Sequence, residues 1–190
     1  MSHEFITTDE QLVQLCHSLA QTDSIAFDTE FVSEHTYRPQ LCLIQVAAAG
    51  HLAAIDTLAV GDLTPFWGLI VEEGREIIVH AGREEMVFCL DAMKKQPARL
   101  FDVQLAAGLI GLEYPAGYGG LVSRLLGVAA SKGETRTDWR RRPLSDRQIH
   151  YALEDVRHLH PLRNRIAARL EQLGRFPWLT EEMTAWQSEL

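Results

Sequence analysis

Ser24-Ile25-Ala26-Phe27-Asp28-Thr29-Glu30-Phe31 sets two carboxylates, two positions apart, into an apolar run of strand character. Successive strand side chains point to opposite faces, so Asp28 and Glu30 share one. Like charges about 4 Å apart repel by roughly 4 kcal/mol at an effective dielectric of 20. Acids so placed must be protonated, solvated or neutralised by a cation, most commonly a divalent metal. Taken alone, an Asp-x-Glu among 26 acidic residues is more readily a solvated strand end than a catalytic site. The rest of the chain has to supply the partners.

The segments around that strand alternate between strand and helix. Before it, Thr7-Thr8-Asp9-Glu10 caps a segment with Leu12, Val13, Leu15, Cys16 and Leu19 at helical spacing. After it, Pro39 precedes a strand from Leu41 to Ala47, Ala48-Ala49-Gly50 turns, and His51 to Ile55 is a third strand of an antiparallel meander. Leu63 to Val71 reads as a helix, Glu76 to Val79 as a buried strand, and Glu84 to Met93 as a helix. A short strand at Arg99-Leu100-Phe101, a helix from Val103 to Leu112 and another from Gly117 to Leu126 follow. Ser145 with Gln148 reads as a capping box opening one long helix to about Leu173, ended by Gly174, with a last helix from Trp178 to Leu190. This order predicts an α/β fold: a mixed central sheet, its first three strands antiparallel, flanked by helices.

The 190 residues are most simply one domain, large enough to bury roughly 70% of the unfolded surface. No apolar run is long enough to cross a membrane, and the first residues show no basic-then-apolar leader. The reading is a cytoplasmic protein with no membrane partner. Cys16, Cys42 and Cys89 are odd in number and widely spaced among apolar residues, which fits buried reduced thiols. A net charge of −8 repels phosphate, so nucleic acid would have to be met by a local basic patch or by bound cations. The polar stretch from Ala129 to Pro143 and the residues just after it offer such a patch: Lys132, Arg136, Arg140, Arg141, Arg142 and Arg147 surround Trp139. The same tryptophan could instead anchor the loop to the core.

Tyr151 and Asp155 are four apart and share a helix face. Together with Asp28-Thr29-Glu30-Phe31, the blocks Thr36-Tyr37-Arg38-Pro39-Gln40-Leu41, Leu43-Ile44-Gln45, Val79-His80-Ala81, Leu100-Phe101-Asp102-Val103-Gln104, Thr137-Asp138-Trp139 and Tyr151-Ala152-Leu153-Glu154-Asp155 make the chain resemble the ribonuclease D group of 3′-to-5′ exonucleases. The resemblance covers nearly the whole chain and implies a ribonuclease H-like fold, with two divalent ions, Mg²⁺ or Mn²⁺, held on acidic residues. It assigns Asp28 to bridge both ions, Glu30 and Asp155 to complete the first, and Tyr151 to orient the attacking water. Hard cations prefer such oxygen ligands.

One block departs from the pattern. Where the family has Asp five positions after the strand-end histidine, this chain has Glu85, longer by one methylene, as the candidate holder of the second ion. Glu84 points about 100° away on the helix and Asp102 is placed to cap the next one, so Glu85 is preferred. His80 reads as structural. Phe31, Tyr37 and Gln40 join Lys132, Arg136, Trp139 and Arg140 as candidate substrate contacts.

The activity so implied is trimming of single-stranded RNA 3′ ends to nucleoside 5′-monophosphates. Single-stranded DNA is the rival substrate, and a catalytically weak nucleic-acid- or partner-binding module the rival class. Members of the group commonly continue into helical substrate-binding domains, and the expectation for residues 1–190 is one exonuclease domain without them.

Overall fold

Thr8 accepts from the Gln11 backbone N–H while the Gln11 side chain reaches back to the Thr8 backbone, a reciprocal cap that opens helix α1 (Asp9–Leu19). The computed structural model describes residues 3–34, 38–129 and 137–190. Through them runs one six-stranded sheet of β1 (Glu4–Ile6), β2 (Ser24–Val32), β3 (Gln40–Ala48), β4 (His51–Asp56), β5 (Glu76–Val79) and β6 (Arg99–Asp102), in the order β1-β4-β3-β2-β5-β6. Strands β2, β3 and β4 form the anticipated antiparallel meander, while β1 joins β4, β5 joins β2 and β6 joins β5 in parallel. Strand β1 was not foreseen, because three residues carry no readable period.

Which helix covers which face follows from alternation along β2. Phe27 packs edge-on against Phe66 and Trp67 of α2 (Thr64–Ile70), and Phe31 against Phe88 of α3 (Arg83–Met93), so α1, α2 and α3 lie on that face. Asp28 and Glu30 turn to the other face, where α6 (Asp146–Arg157) crosses β2, β3 and β4. The β2–β3 ladder slips between Glu30 and Phe31, leaving Cys42 on β3 without a partner opposite. Such a bulge locally raises the twist, here beside the two acids.

The long helix expected from Ser145 to Leu173 is two helices, α6 and α7 (Leu159–Gln172). Pro161 has no N–H to give the Arg157 carbonyl and its ring crowds that oxygen, so the helix breaks at His158. Tyr118, in the short helix α5 (Tyr118–Leu121), fills the break. Its hydroxyl donates to the Glu154 carbonyl at 2.7 Å and accepts the His158 N–H at 3.1 Å, standing between a donor and an acceptor four residues apart that pair directly in an unbroken helix.

Helix α4 (Val103–Leu109) and α8 (Phe176–Ser188) pack against α7 and the β6 edge. The three cysteines are buried and free, and burial pushes the Cys16 and Cys89 thiols up to about 11 and about 12. Trp67, Trp178 and Trp186 are set at helical apolar spacings that predict core positions; Trp67 is buried and Trp186 half-buried. Trp178 is instead 52% exposed, with Arg175 over its ring, because it lies on the outer side of α8.

Candidate active site

Strand β5 pairs with β2 only as far as Ala26, so β2 runs on past the end of its neighbour. Into the gap beside Asp28, Thr29 and Glu30 comes the start of α3. Its third residue, Glu85, is 4% exposed and accepts the Thr29 hydroxyl at 2.6 Å. The turn delivering it is tightly built. Ala81 sits at φ +54°, unusual for a residue with a side chain, and a Cβ on Gly82 would meet the Val79 side chain at 2.4 Å. Asp102, itself buried, holds this turn by accepting the Ala81 and Gly82 N–H groups at 3.2 and 2.9 Å, and it also caps α4 through Gln104 and Leu105. The capping role expected of Asp102 is therefore present, together with a second one that its sequence position does not reveal.

From the other side, the break between α6 and α7 leaves Tyr151 and Asp155 on the last turns of α6, facing the same two strand acids. The Trp139 ring stacks on Tyr151 at 6.3 Å and 25°, which fixes the phenol's plane. Four carboxylates from three distant segments thus meet.

Burial raises the pKa of all four carboxyl groups, and repulsion within the cluster adds to it at Asp28 and Glu30. Burial, then repulsion from Glu85, Asp155 and Glu30, holds Asp28 well above the usual carboxylate range. Glu30 is pushed up to about 8 by burial and by Asp155 and Glu85. Burial takes Glu85 to about 7 against the opposing pull of the Thr29 hydroxyl, and Asp155 to about 6 against that of Tyr151. The Tyr151 phenol is itself raised, by burial and the neighbouring acids, so it is a poorer base than free tyrosine.

The donor set suits a hard divalent cation, since every candidate ligand is a carboxylate oxygen. As they stand, however, no three His, Cys, Asp or Glu side chains among the described residues are drawn together tightly enough to hold an ion. Glu85 is turned to Thr29 and Asp155 interacts with Tyr151, which is how mutually repelling acids relax.

A cleft of about 680 Å³ opens beside this centre, with Glu30, Phe31, Trp139 and Arg140 in its walls. Phe31 is partly exposed there. Trp139 is only 5% exposed, so the reading in which it anchors the loop describes its place better than a free stacking platform. Arg140 is exposed and paired with Asp138 at 2.9 Å. Arg142 is committed internally: it donates to both oxygens of buried Asp56 at 2.5 and 2.6 Å and to the Cys42 carbonyl at 2.8 Å. Gln40 is exposed at the start of β3. Tyr37, Lys132 and Arg136 lie outside the described residues. His80 is structural, its ring at 2.9 Å from the Ala116 carbonyl oxygen.

Residues 3–171 match the 3′-5′ exonuclease family. Ribonuclease D of Zymomonas mobilis subsp. mobilis is 43% identical over 183 residues, covering 95% of this chain and 47% of that protein. The crystal structure of Escherichia coli RNase D, described as an exoribonuclease involved in structured RNA processing, is 36% identical and aligns with a TM-score of 0.94 over 100% of this chain and 50% of that one. Brucella melitensis NrnC bound to pGG aligns at 0.82 with 25% identity, over 98% of this chain and 89% of that one. The chain spans about half the length of the curated relatives it matches. The mixed sheet with helices on both faces is the ribonuclease H-like arrangement that the sequence led us to expect.

Proposed function

The chain belongs to the 3′-to-5′ exonuclease family that includes the ribonucleases D, and on that premise we propose that it trims single-stranded RNA from the 3′ end, releasing nucleoside 5′-monophosphates. The observation that carries this reading is the convergence of Asp28, Glu30, Glu85 and Asp155 at the end of β2, each raised by burial within one acidic cluster that also faces Tyr151. We take the 190 residues as one exonuclease domain. NrnC bound to pGG supports a short nucleotide end as the ligand of this cleft.

The reaction adds water across the terminal P–O3′ bond: the water oxygen bonds to phosphorus, and O3′ of the penultimate nucleotide leaves with a proton. Asp28, Glu30 and Asp155, with Glu85, would hold two Mg²⁺ or Mn²⁺ ions, which when bound neutralise the cluster, acidify water and stabilise the leaving oxygen. Tyr151, with its raised phenol, does not take the proton; its hydroxyl, set by Asp155 and by the Trp139 ring, orients the water. Phe31 offers an apolar surface to the terminal base, and Arg140 a charge to the backbone, with Gln40, Tyr37, Lys132 and Arg136 as the further contacts. Single-stranded DNA is the competing substrate. The buried, unreactive thiols accord with a reducing, cytoplasmic setting, and among the described residues no helix is long and apolar enough to cross a membrane.

One observation favours a second reading. Glu85, standing where the family has Asp, is bonded to Thr29, which suits a module that binds nucleic acid but cleaves it weakly. Both readings are tested with 5′-labelled single-stranded RNA and DNA in Mg²⁺, Mn²⁺ or EDTA, beside Asp28→Asn and Asp155→Asn. The expected result is a metal-dependent ladder shortening from the 3′ end, with both variants down by about 10³-fold or more. Activity that persists in EDTA or in either variant rejects the mechanism, and binding without cleavage under every metal selects the module.

A further inference from the structure

Gln45 lies in the middle of β3, fully buried, and neither the oxygen nor the nitrogen of its side-chain amide has a hydrogen-bond partner. A buried amide left this way costs about 1–3 kcal/mol and is uncommon enough to require a reason. The register supplies one. Gln45 is directly opposite Asp28 across the β2–β3 ladder, and residues opposed in an antiparallel pair place their side chains on the same face.

On that face Asp28 is directly opposite and Glu30 on the longer diagonal, which makes Asp28 the nearer partner. Ala54 flanks Gln45 on β4, and Ala26 and Ala47 lie one pleat along. Asp56, diagonal to it on β4, already has both oxygens held by Arg142. The flanking residues are alanines, and α6 packs over β3 above them.

We infer that Gln45 is a positioning residue for Asp28: unpaired in the metal-free protein, its amide nitrogen turns to donate to one oxygen of the Asp28 carboxylate when the other holds a cation. The inference rests on Asp28 serving as a cation ligand. Ligating carboxylates are themselves held by hydrogen bonds, and loss of such support weakens ion binding by about 10- to 100-fold. A residue kept only for packing would be replaced by an apolar side chain of the same length at no loss.

Gln45→Met and Gln45→Leu separate the two. Mn²⁺ binding to wild type and both variants is measured by calorimetry, and the metal-free proteins are melted in parallel. The expected result is a metal-free melting temperature at or above that of wild type, because an unpaired amide has been removed, with Mn²⁺ affinity weaker by about tenfold or more in both variants. Equal affinity in variant and wild type overturns the assignment of Gln45 alone. Absence of Mn²⁺ binding by wild type overturns the metal reading of the cluster, and this inference with it. Lower melting temperatures with unchanged affinity assign Gln45 to packing.

Discussion

Glu85 shows how one methylene is accommodated in a crowded site. Its reach carries the carboxylate to the Thr29 hydroxyl at 2.6 Å, and that bond, with burial, determines where it rests. Shortening it to Glu85→Asp removes the methylene and the bond together. Metal-free stability should fall by about 1–2 kcal/mol in urea unfolding, from a lost hydrogen bond and lost apolar burial. The ratio of Mg²⁺- to Mn²⁺-supported cleavage should shift by about tenfold as the carboxylate is freed from Thr29. If neither quantity moves, the departure at this position is inconsequential.

At this same scale, strand and helix periods show only that Asp28 shares a face with Glu30 and Tyr151 with Asp155; reading the two pairs as one cluster comes from the family resemblance, and the fold does bring them together. Gln45 and the second task of Asp102 were not legible by either route. A single glutamine in Leu43-Ile44-Gln45-Val46 says nothing until the strand register sets it opposite Asp28. Asp102 holds a turn twenty residues upstream, through backbone groups that carry no sequence signal.

Among the elements, those with several periods of apolar residues fell where the pattern put them, and the two misreadings had local causes. Strand β1 is too short to show alternation and exists because β4 offers it an edge. The break between α6 and α7 was signalled by Pro161, but the capping box at Ser145 and the continuing apolar spacing pointed to one helix. The break matters to the site because it ends α6 just after Asp155, and Tyr118 bridges it. Tyr118→Phe removes the hydroxyl that satisfies both the Glu154 carbonyl and the His158 N–H. The expected cost is about 1–3 kcal/mol, a fall in melting temperature of about 2–4 °C for each kcal/mol in a domain of this size. An unchanged melting temperature would mean that Glu154 and His158 bond directly once the hydroxyl is gone.

For the molecule as a whole, the acidic balance and the buried cluster make one argument. A chain of net charge −8 brings four carboxylates together, and Arg140, in the wall of the cleft beside Glu30, is itself paired with Asp138. Glu30, Glu85 and Asp155 are shifted to about 8, about 7 and about 6, all above their ordinary values. The folded cluster therefore holds more protons than the same groups in the unfolded chain between about pH 4.5 and pH 8, and its contribution to metal-free stability falls as pH rises through that window, outweighing the opposing shift of half-buried His160. Divalent cations compete for the same oxygens, so their stabilisation runs the other way and grows with pH. Thermal melts from about pH 5.5 to about pH 8 should show the metal-free melting temperature declining, and the increment from added Mn²⁺ should be larger at the upper end. Asp28→Asn, which removes one of the mutually repelling acids, should flatten the metal-free decline and diminish the increment together. A metal-free melting temperature that climbs with pH across the window would show that these carboxylates are ionised in the folded protein without a cation, and the cluster would then need another source of positive charge.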